Sequence, residues 1–95
     1  MGKSLYITCI KRSGSKIPDE RIETVGGFYE DGKYFRYTLD QAIELVETNK
    51  YDLLVEYHGR ELLLYVAYSL RGKKYLKTEV DWEAPVTLLK LPECL

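Results

Sequence analysis

The chain has 95 residues, 45% hydrophobic and 31% charged, with 14 Lys and Arg against 15 Asp and Glu and a formal net charge of −1. That length suits one domain around a single core, and the near-balanced charge gives no overall pull toward nucleic acid or an anionic membrane. Nine Tyr is the unusual number; an apolar ring with a polar tip suits half-buried sheet positions as well as binding surfaces.

The opening MGKSLYITCIKRSGSK has an apolar run of about six residues, shorter than the ~7–15 of a signal-peptide core. Gly2 is followed by KSLY, which puts Tyr where a myristoylation signal prefers Ser or Thr. No segment reaches the ~18 apolar residues of a membrane span. The expected location is the cytoplasm, where Cys9 and Cys94 are expected as reduced thiols rather than as a bridge.

Residues 4–11 alternate as a strand apolar on both sides, with Leu5, Ile7 and Cys9 on one face and Tyr6, Thr8 and Ile10 on the other. RSGSKIPDE, residues 12–20, is a loop. A second strand runs from Arg21 to Tyr29, with Ile22 and Val25 inward, and Gly26-Gly27 marks a bulge or a close backbone approach. Asp31-Gly32 is a two-residue hairpin signal of type I′. Taken as the turn, it sets Glu30 opposite Lys33, Tyr29 opposite Tyr34 and Phe28 opposite Phe35, with the Phe pair inward and the Tyr pair outward.

TLDQAIELVETN, residues 38–49, is the clear helix. Thr38 and Gln41 form a capping box, Asp40 suits the positive end of the helix dipole, and Leu39, Ala42, Ile43 and Val46 make one apolar stripe. Asn49 is a left-handed cap. Residues 52–79 are expected as a three-stranded meander turning near His58-Gly59-Arg60 and Arg71-Gly72-Lys73, with LLLYVAYSL as its middle strand. The second register is open, because one residue of slip exchanges the faces. A three-residue loop with a glycine bulge is preferred, since it sets Leu76, Thr78 and Val80 on the side of Leu62, Leu64 and Val66. The tail DWEAPVTLLKLPECL is too apolar to dangle and is expected as an ordered extension, with one helical turn from Pro85.

The candidate chemistry is sparse. Two cysteines 85 positions apart and one His do not match the paired spacing of a zinc site. His58 sits in a turn, and no hydrolase elbow, phosphate loop or dinucleotide fingerprint is present. Neither metal, cofactor nor catalytic residue is assigned. Arg71, Lys73, Lys74 and Lys77 surround Tyr75, and basic side chains around a ring can follow a nucleic-acid backbone and stack a base. A turn and edge strand kept soluble by lysines explains the same residues more simply. One helix covers one face of a sheet. Leu63, Tyr65 and Ala67 then need a cover from the tail with Trp82, or from a second copy, with Tyr29 and Tyr34 joining the contact.

YITCIKRS, IETVGG, YTLDQAIELVETNKYDLLVE, KKYLKTEVD and LLKLPEC occur here in that order. Together they resemble a small bacterial family, domain-of-unknown-function family 3892, over about Tyr6 to Cys94. The resemblance implies no reaction, cofactor or partner. It places Cys9 and Cys94 at characteristic family positions and marks residues 75–79 as a signature.

The expectation is a single α+β domain over residues 1–95, with one helix on an antiparallel sheet of five or six strands in the order β-β-β-α-β-β-β. Its expected role is non-enzymatic binding of a protein or of itself. Nucleic-acid binding through Lys73, Tyr75 and Lys77 is the alternative, and thiol chemistry at Cys9 and Cys94 a weaker one.

Overall fold

The computed structural model describes residues 3–14, 16, 21–81 and 86–94. Its elements are β1 (Lys3–Arg12), β2 (Ile22–Tyr29), β3 (Tyr34–Thr38), α1 (Leu39–Glu47), β4 (Tyr51–Tyr57), β5 (Arg60–Leu63), β6 (Tyr65–Tyr68), β7 (Lys74–Lys77) and α2 (Val86–Leu89). Three strands precede α1 as expected, but four rather than three follow it, because the expected middle strand of the meander is split into β5 and β6; α2 is the helical turn of the extension. Trp82 and Pro85 lie outside the described residues.

Five strands form one sheet in the order β3-β2-β1-β4-β5, and β6 and β7 form a separate two-stranded sheet. Three ladders of the larger sheet are antiparallel. The fourth, β1 with β4, is parallel, where the sequence reading had antiparallel pairing throughout. The helix is the reason: α1 carries the chain back from β3, so β4 sets out in the direction of β3 and therefore of β1.

α1 begins with both bonds of the capping box, Gln41 N–H to Thr38 Oγ1 at 3.2 Å and Thr38 N–H to Gln41 Oε1 at 3.0 Å. It ends in a Schellman motif: Asn49 at φ 56° donates to Val46 O, and Lys50 donates to Leu45 O. Its apolar stripe buries Ala42 and Ile43 against one face of the sheet, where Leu5, Ile7, Ile10, Val25, Phe35, Leu53, Val55 and Leu62 make the core.

Three sequence expectations change. First, Thr8 is an extra residue in β1, since Ile7 pairs Gly27 and Cys9 already pairs Gly26. The bulge reverses the alternation, so Ile10 joins Leu5 and Ile7 in the core while Cys9 turns to the other face. The Gly-Gly pair has the close approaches expected of it. A Cβ on Gly27 would lie 1.7 Å from the Tyr6 carbonyl oxygen, and one on Gly26 would lie 2.8 Å from the sulfurs of both Cys9 and Cys94.

Second, the first hairpin is slipped by one residue. Phe28 pairs Tyr34 and Gly27 pairs Phe35. Tyr29 N–H donates to Lys33 O, so the loop is Glu30-Asp31-Gly32, with only Gly32 at positive φ, 88°. Phe35 and Tyr29 therefore share the inner face and Phe28 and Tyr34 the outer. The extra loop residue lets the aromatic ring of Phe35, 5% exposed, reach the core beside Val25.

Third, LLLYVAYSL is not one strand. It breaks at Leu64, whose N–H donates to Leu53 O at 2.8 Å and whose side chain is buried. The chain leaves the large sheet there, and β6–β7 lies against α1 instead. The preferred register of that hairpin holds, with Val66 opposite Leu76 and Tyr68 opposite Lys74, and Leu62, Leu64 and Val66 all face the core. Leu76 and Thr78 are buried as expected, but β7 ends at Lys77, and Val80, in the turn beyond it, is exposed.

The tail is fastened at three places. Asp81, buried, accepts from Thr78 N–H at 2.9 Å and Thr87 N–H at 3.0 Å and from both threonine hydroxyls, which joins the end of β7 to α2. Ile10 N–H donates to Pro92 O and Cys94 N–H to Ile10 O, a short parallel extension beside β1. Arg12 donates to the carbonyls of Leu89 and Leu91 and pairs with Glu93 at 3.1 Å.

Candidate functional site

That extension brings Cys94 beside Cys9, and the two form a disulfide with Cα atoms 4.9 Å apart. The expectation of two separate reduced thiols is corrected. The cause is tertiary: β4 pairs β1 only from Lys3 to Ile7, so the upper half of β1 offers a free edge that the tail occupies. The Tyr34 hydroxyl lies 3.6 Å from the Cys9 sulfur. Arg36 donates to that hydroxyl at 3.3 Å and holds its guanidinium 5.9 Å from the Tyr34 ring centre.

The bridge sits on the outer face of the large sheet, opposite α1. Across this face runs a single apolar row with one residue from each strand in sheet order: Tyr34, Phe28, Tyr6, Leu54 and Leu63. Each is the direct partner of the next in the ladders. Phe28, Tyr34 and Leu63 are 44%, 49% and 51% exposed, and Tyr6 and Leu54 are half-buried. Phe28 and Tyr34 meet edge to face at 5.7 Å. α1 and α2 both pack on the other side, since Ala42, Ile43 and Leu88 belong to the core.

Of the partner-binding residues read from the sequence, Tyr34 lies in this row. Tyr29 does not: it is on the inner face, 5.2 Å from the Phe35 ring, with its hydroxyl 2.6 Å from that of Tyr37. That hydrogen bond, then burial, pushes the Tyr29 phenol above its ordinary value. Tyr29 also borders a cleft with Lys3, Ser4, Glu30, Asp31 and Tyr51. Trp82 is outside the described residues. Phe28, Tyr6, Leu54 and Leu63 were not singled out together because their alignment depends on the parallel β1–β4 ladder and on the three-residue turn.

The basic cluster is on β7 and its turn. Tyr75 is only 4% exposed, so its ring is covered rather than offered for stacking. The exposed rings are those of the neighbouring strand: Lys77 Nζ lies 5.8 Å from the Tyr65 ring centre and Lys74 Nζ 6.0 Å from that of Tyr68. Lys74 also donates to both Glu47 oxygens at 2.8 and 3.0 Å, and this bond holds its ammonium above the ordinary value. Arg71 and Lys73 are exposed in the turn, beside the fully exposed Leu70. His58 is the exposed first residue of the tight β4–β5 turn at φ 49°. Among the described residues no group of three His, Cys, Asp or Glu is placed to hold a metal ion, and no helix is long and apolar enough to cross a membrane.

Residues 6–92 match the model of a family described as "Protein of unknown function (DUF3892)". The chain belongs to that family. No curated protein and no solved structure matches it.

Proposed function

We propose that this member of the family is a non-enzymatic binding domain whose contact surface is the outer face of the five-stranded sheet. The observation that carries the reading is the five-residue row: three side chains about half exposed, aligned across every strand, on a face from which both described helices are absent. A contiguous exposed apolar patch with a polar margin is the usual mark of a protein interface. The aromatic members give large contact area at small entropic cost.

A photo-crosslinking residue in place of Phe28 tests this in the native host. It is expected to form protein adducts, whereas the same residue at Glu23 or Lys50, away from the row, forms none. Equal labelling from all three positions, or none from Phe28, removes the reading.

We propose the cytoplasm as the compartment of the domain. The Cys9–Cys94 bridge pulls the other way, because cytosolic thiol pools keep such pairs reduced. Alkylation of thiols at the moment of lysis separates the two: two blocked cysteines fit the cytoplasm, and none fits an oxidising compartment or a bond kept for redox use.

A second reading, binding of single-stranded nucleic acid on β6–β7, is favoured by Tyr65 and Tyr68, each exposed with a lysine against its ring. It is weakened by Glu47, which already pairs with Lys74, and by the net charge of −1. A salt titration against single-stranded oligonucleotides decides it; no binding at low salt ends it.

A further inference from the structure

We propose that the partner seated on this face is a second copy of the chain, packed sheet to sheet about a two-fold axis running close to the direction of β1. The inference rests on the reading of the outer face as the contact surface and adds the identity of the occupant.

The argument is one of symmetry and charge. β1 is the middle strand of the five, so Tyr6 is the centre of the row, with β3 and β2 on one side and β4 and β5 on the other. A two-fold axis along β1 keeps the level of each residue along the strands and exchanges left with right. It therefore lays Tyr34 of one copy on Leu63 of the other, Phe28 on Leu54, and Tyr6 on its own equivalent. Every exposed apolar member of the row is covered by another. The strands are spaced ~4.8 Å apart, so the row is ~19 Å across, and facing sheets pack ~10 Å apart and nearly aligned.

The next level along the strands supplies the charges. Because β3 and β4 run with β1, and β2 and β5 against it, Arg36, Gly26, Cys9, Glu56 and Glu61 all lie on the same side of the row. Arg36 is at the β3 end, and Glu56 and Glu61 are at the β4–β5 end. The same axis brings Arg36 of each copy against Glu61 of the other, twice per dimer.

This accounts for a feature the single chain leaves unexplained. Glu56 and Glu61 are direct cross-strand partners and both are exposed. Like charges placed directly opposite destabilise a ladder, and among the described residues neither carboxylate has an ion-pair partner. A guanidinium from a second copy offsets that repulsion. The alternative in-plane axis, across the strands, lays β3 on β3 and β5 on β5, which leaves the carboxylates together and forms no Arg36–Glu61 pair. Between its two ends the charge level holds Gly26 and the Cys9–Cys94 bridge packed over it, which add no charge.

Sedimentation velocity across a wide concentration range is the test. The wild-type chain is expected to dimerise reversibly. R36E and E61R each place like charges at both ends of the interface and are expected to raise the dissociation constant about tenfold or more. Mixed together, the two variants restore both ion pairs and are expected to form a heterodimer tighter than either forms alone. Circular dichroism and thermal melting verify that each variant is folded, and L63K, exposed and in the row, is a further variant expected to be monomeric.

A wild-type chain that stays monomeric overturns the inference, and so does a dimer indifferent to R36E, E61R and L63K. A dimer lost in L63K whose two charge variants do not recover on mixing also overturns it, because the axis is then wrong. If the wild type is monomeric while the Phe28 crosslinker still captures a protein of another mass, the contact surface stands and only the second copy as its occupant fails.

Discussion

The molecule contains two hairpins built on the same turn. In β2–β3, Tyr29 N–H donates to Lys33 O at 2.9 Å and Gly32 N–H to Tyr29 O at 2.9 Å. In β6–β7, Ser69 N–H donates to Lys73 O at 2.8 Å and Gly72 N–H to Ser69 O at 2.9 Å. Each loop has three residues, ends in glycine at φ 88° or 79°, and is followed by lysine. Polar side chains brace both: Asp31 Oδ1 accepts from Lys33 N–H, and Ser69 Oγ accepts from Arg71 and Lys73 N–H.

Their surroundings differ. The first hairpin is the edge of a five-stranded sheet with one face on the core and one face open. The second stands outside that sheet, with Tyr75 and Leu76, neighbours on opposite faces, both buried. The same turn thus serves to display a surface in one place and to close the core in another. What a hairpin does depends on what its faces meet, not on how its loop is made.

The contrast between the two faces of the first hairpin is the easiest to break. Phe35→Ala removes a buried ring and is expected to cost about 3–5 kcal/mol in urea unfolding. Phe28→Ala, on the open face, is expected to cost under about 1 kcal/mol. Equal losses would mean that both rings face the core and that the three-residue register is wrong.

Reducing the Cys9–Cys94 bridge is next in size, at about 2–5 kcal/mol, because it releases a closed loop spanning nearly the whole chain. Thermal melts with and without reductant, with Cys94→Ser as control, measure it. Amide exchange is expected to accelerate at Ile10 and Cys94 and to stay unchanged in the turn of β6–β7.

The turn glycines sharpen the likeness of the loops. Gly32→Ala and Gly72→Ala each put a Cβ into open space but at positive φ, so each is expected to cost about 1–2 kcal/mol from backbone strain alone. A large difference between them in chemical denaturation would show that the two turns are not the same.

The smallest effect is alkaline. The Tyr29 phenol titrates above its unfolded value of about 10, so the fold binds that proton more tightly than the unfolded chain does. The stabilisation is complete below the unfolded value and is lost as pH rises through the folded one. Lys74, raised by Glu47, acts in the same direction in the other hairpin. Tyr37→Phe removes the largest cause at Tyr29, and ultraviolet titration of the phenols is expected to show its value move down.

Much of this was legible from local pattern. Helix α1, its capping box and its left-handed Asn49 follow from a dozen residues, because their partners are three to five positions away. The β6–β7 register could be read because apolar Val66 and Leu76 had to share a side. The β2–β3 register could not, because Asp-Gly suits a two-residue turn and Phe28 and Phe35 are equally apolar. His58-Gly59 shows that the short turn does occur here, with both residues at positive φ.

The chain's own order of residues settled most of the strands, though not the break of LLLYVAYSL at Leu64, and it settled where the helix starts and stops and that a glycine must close each turn, since these rest on backbone sterics and on contacts within a few positions. Tertiary structure alone decided the parallel β1–β4 ladder, the bulge at Thr8, the meeting of Cys9 with Cys94 and the alignment of Tyr34, Phe28, Tyr6, Leu54 and Leu63 into one row. Those depend on which strand lies beside which, and a side-chain period of two tells how a strand is faced but not what its neighbour will be.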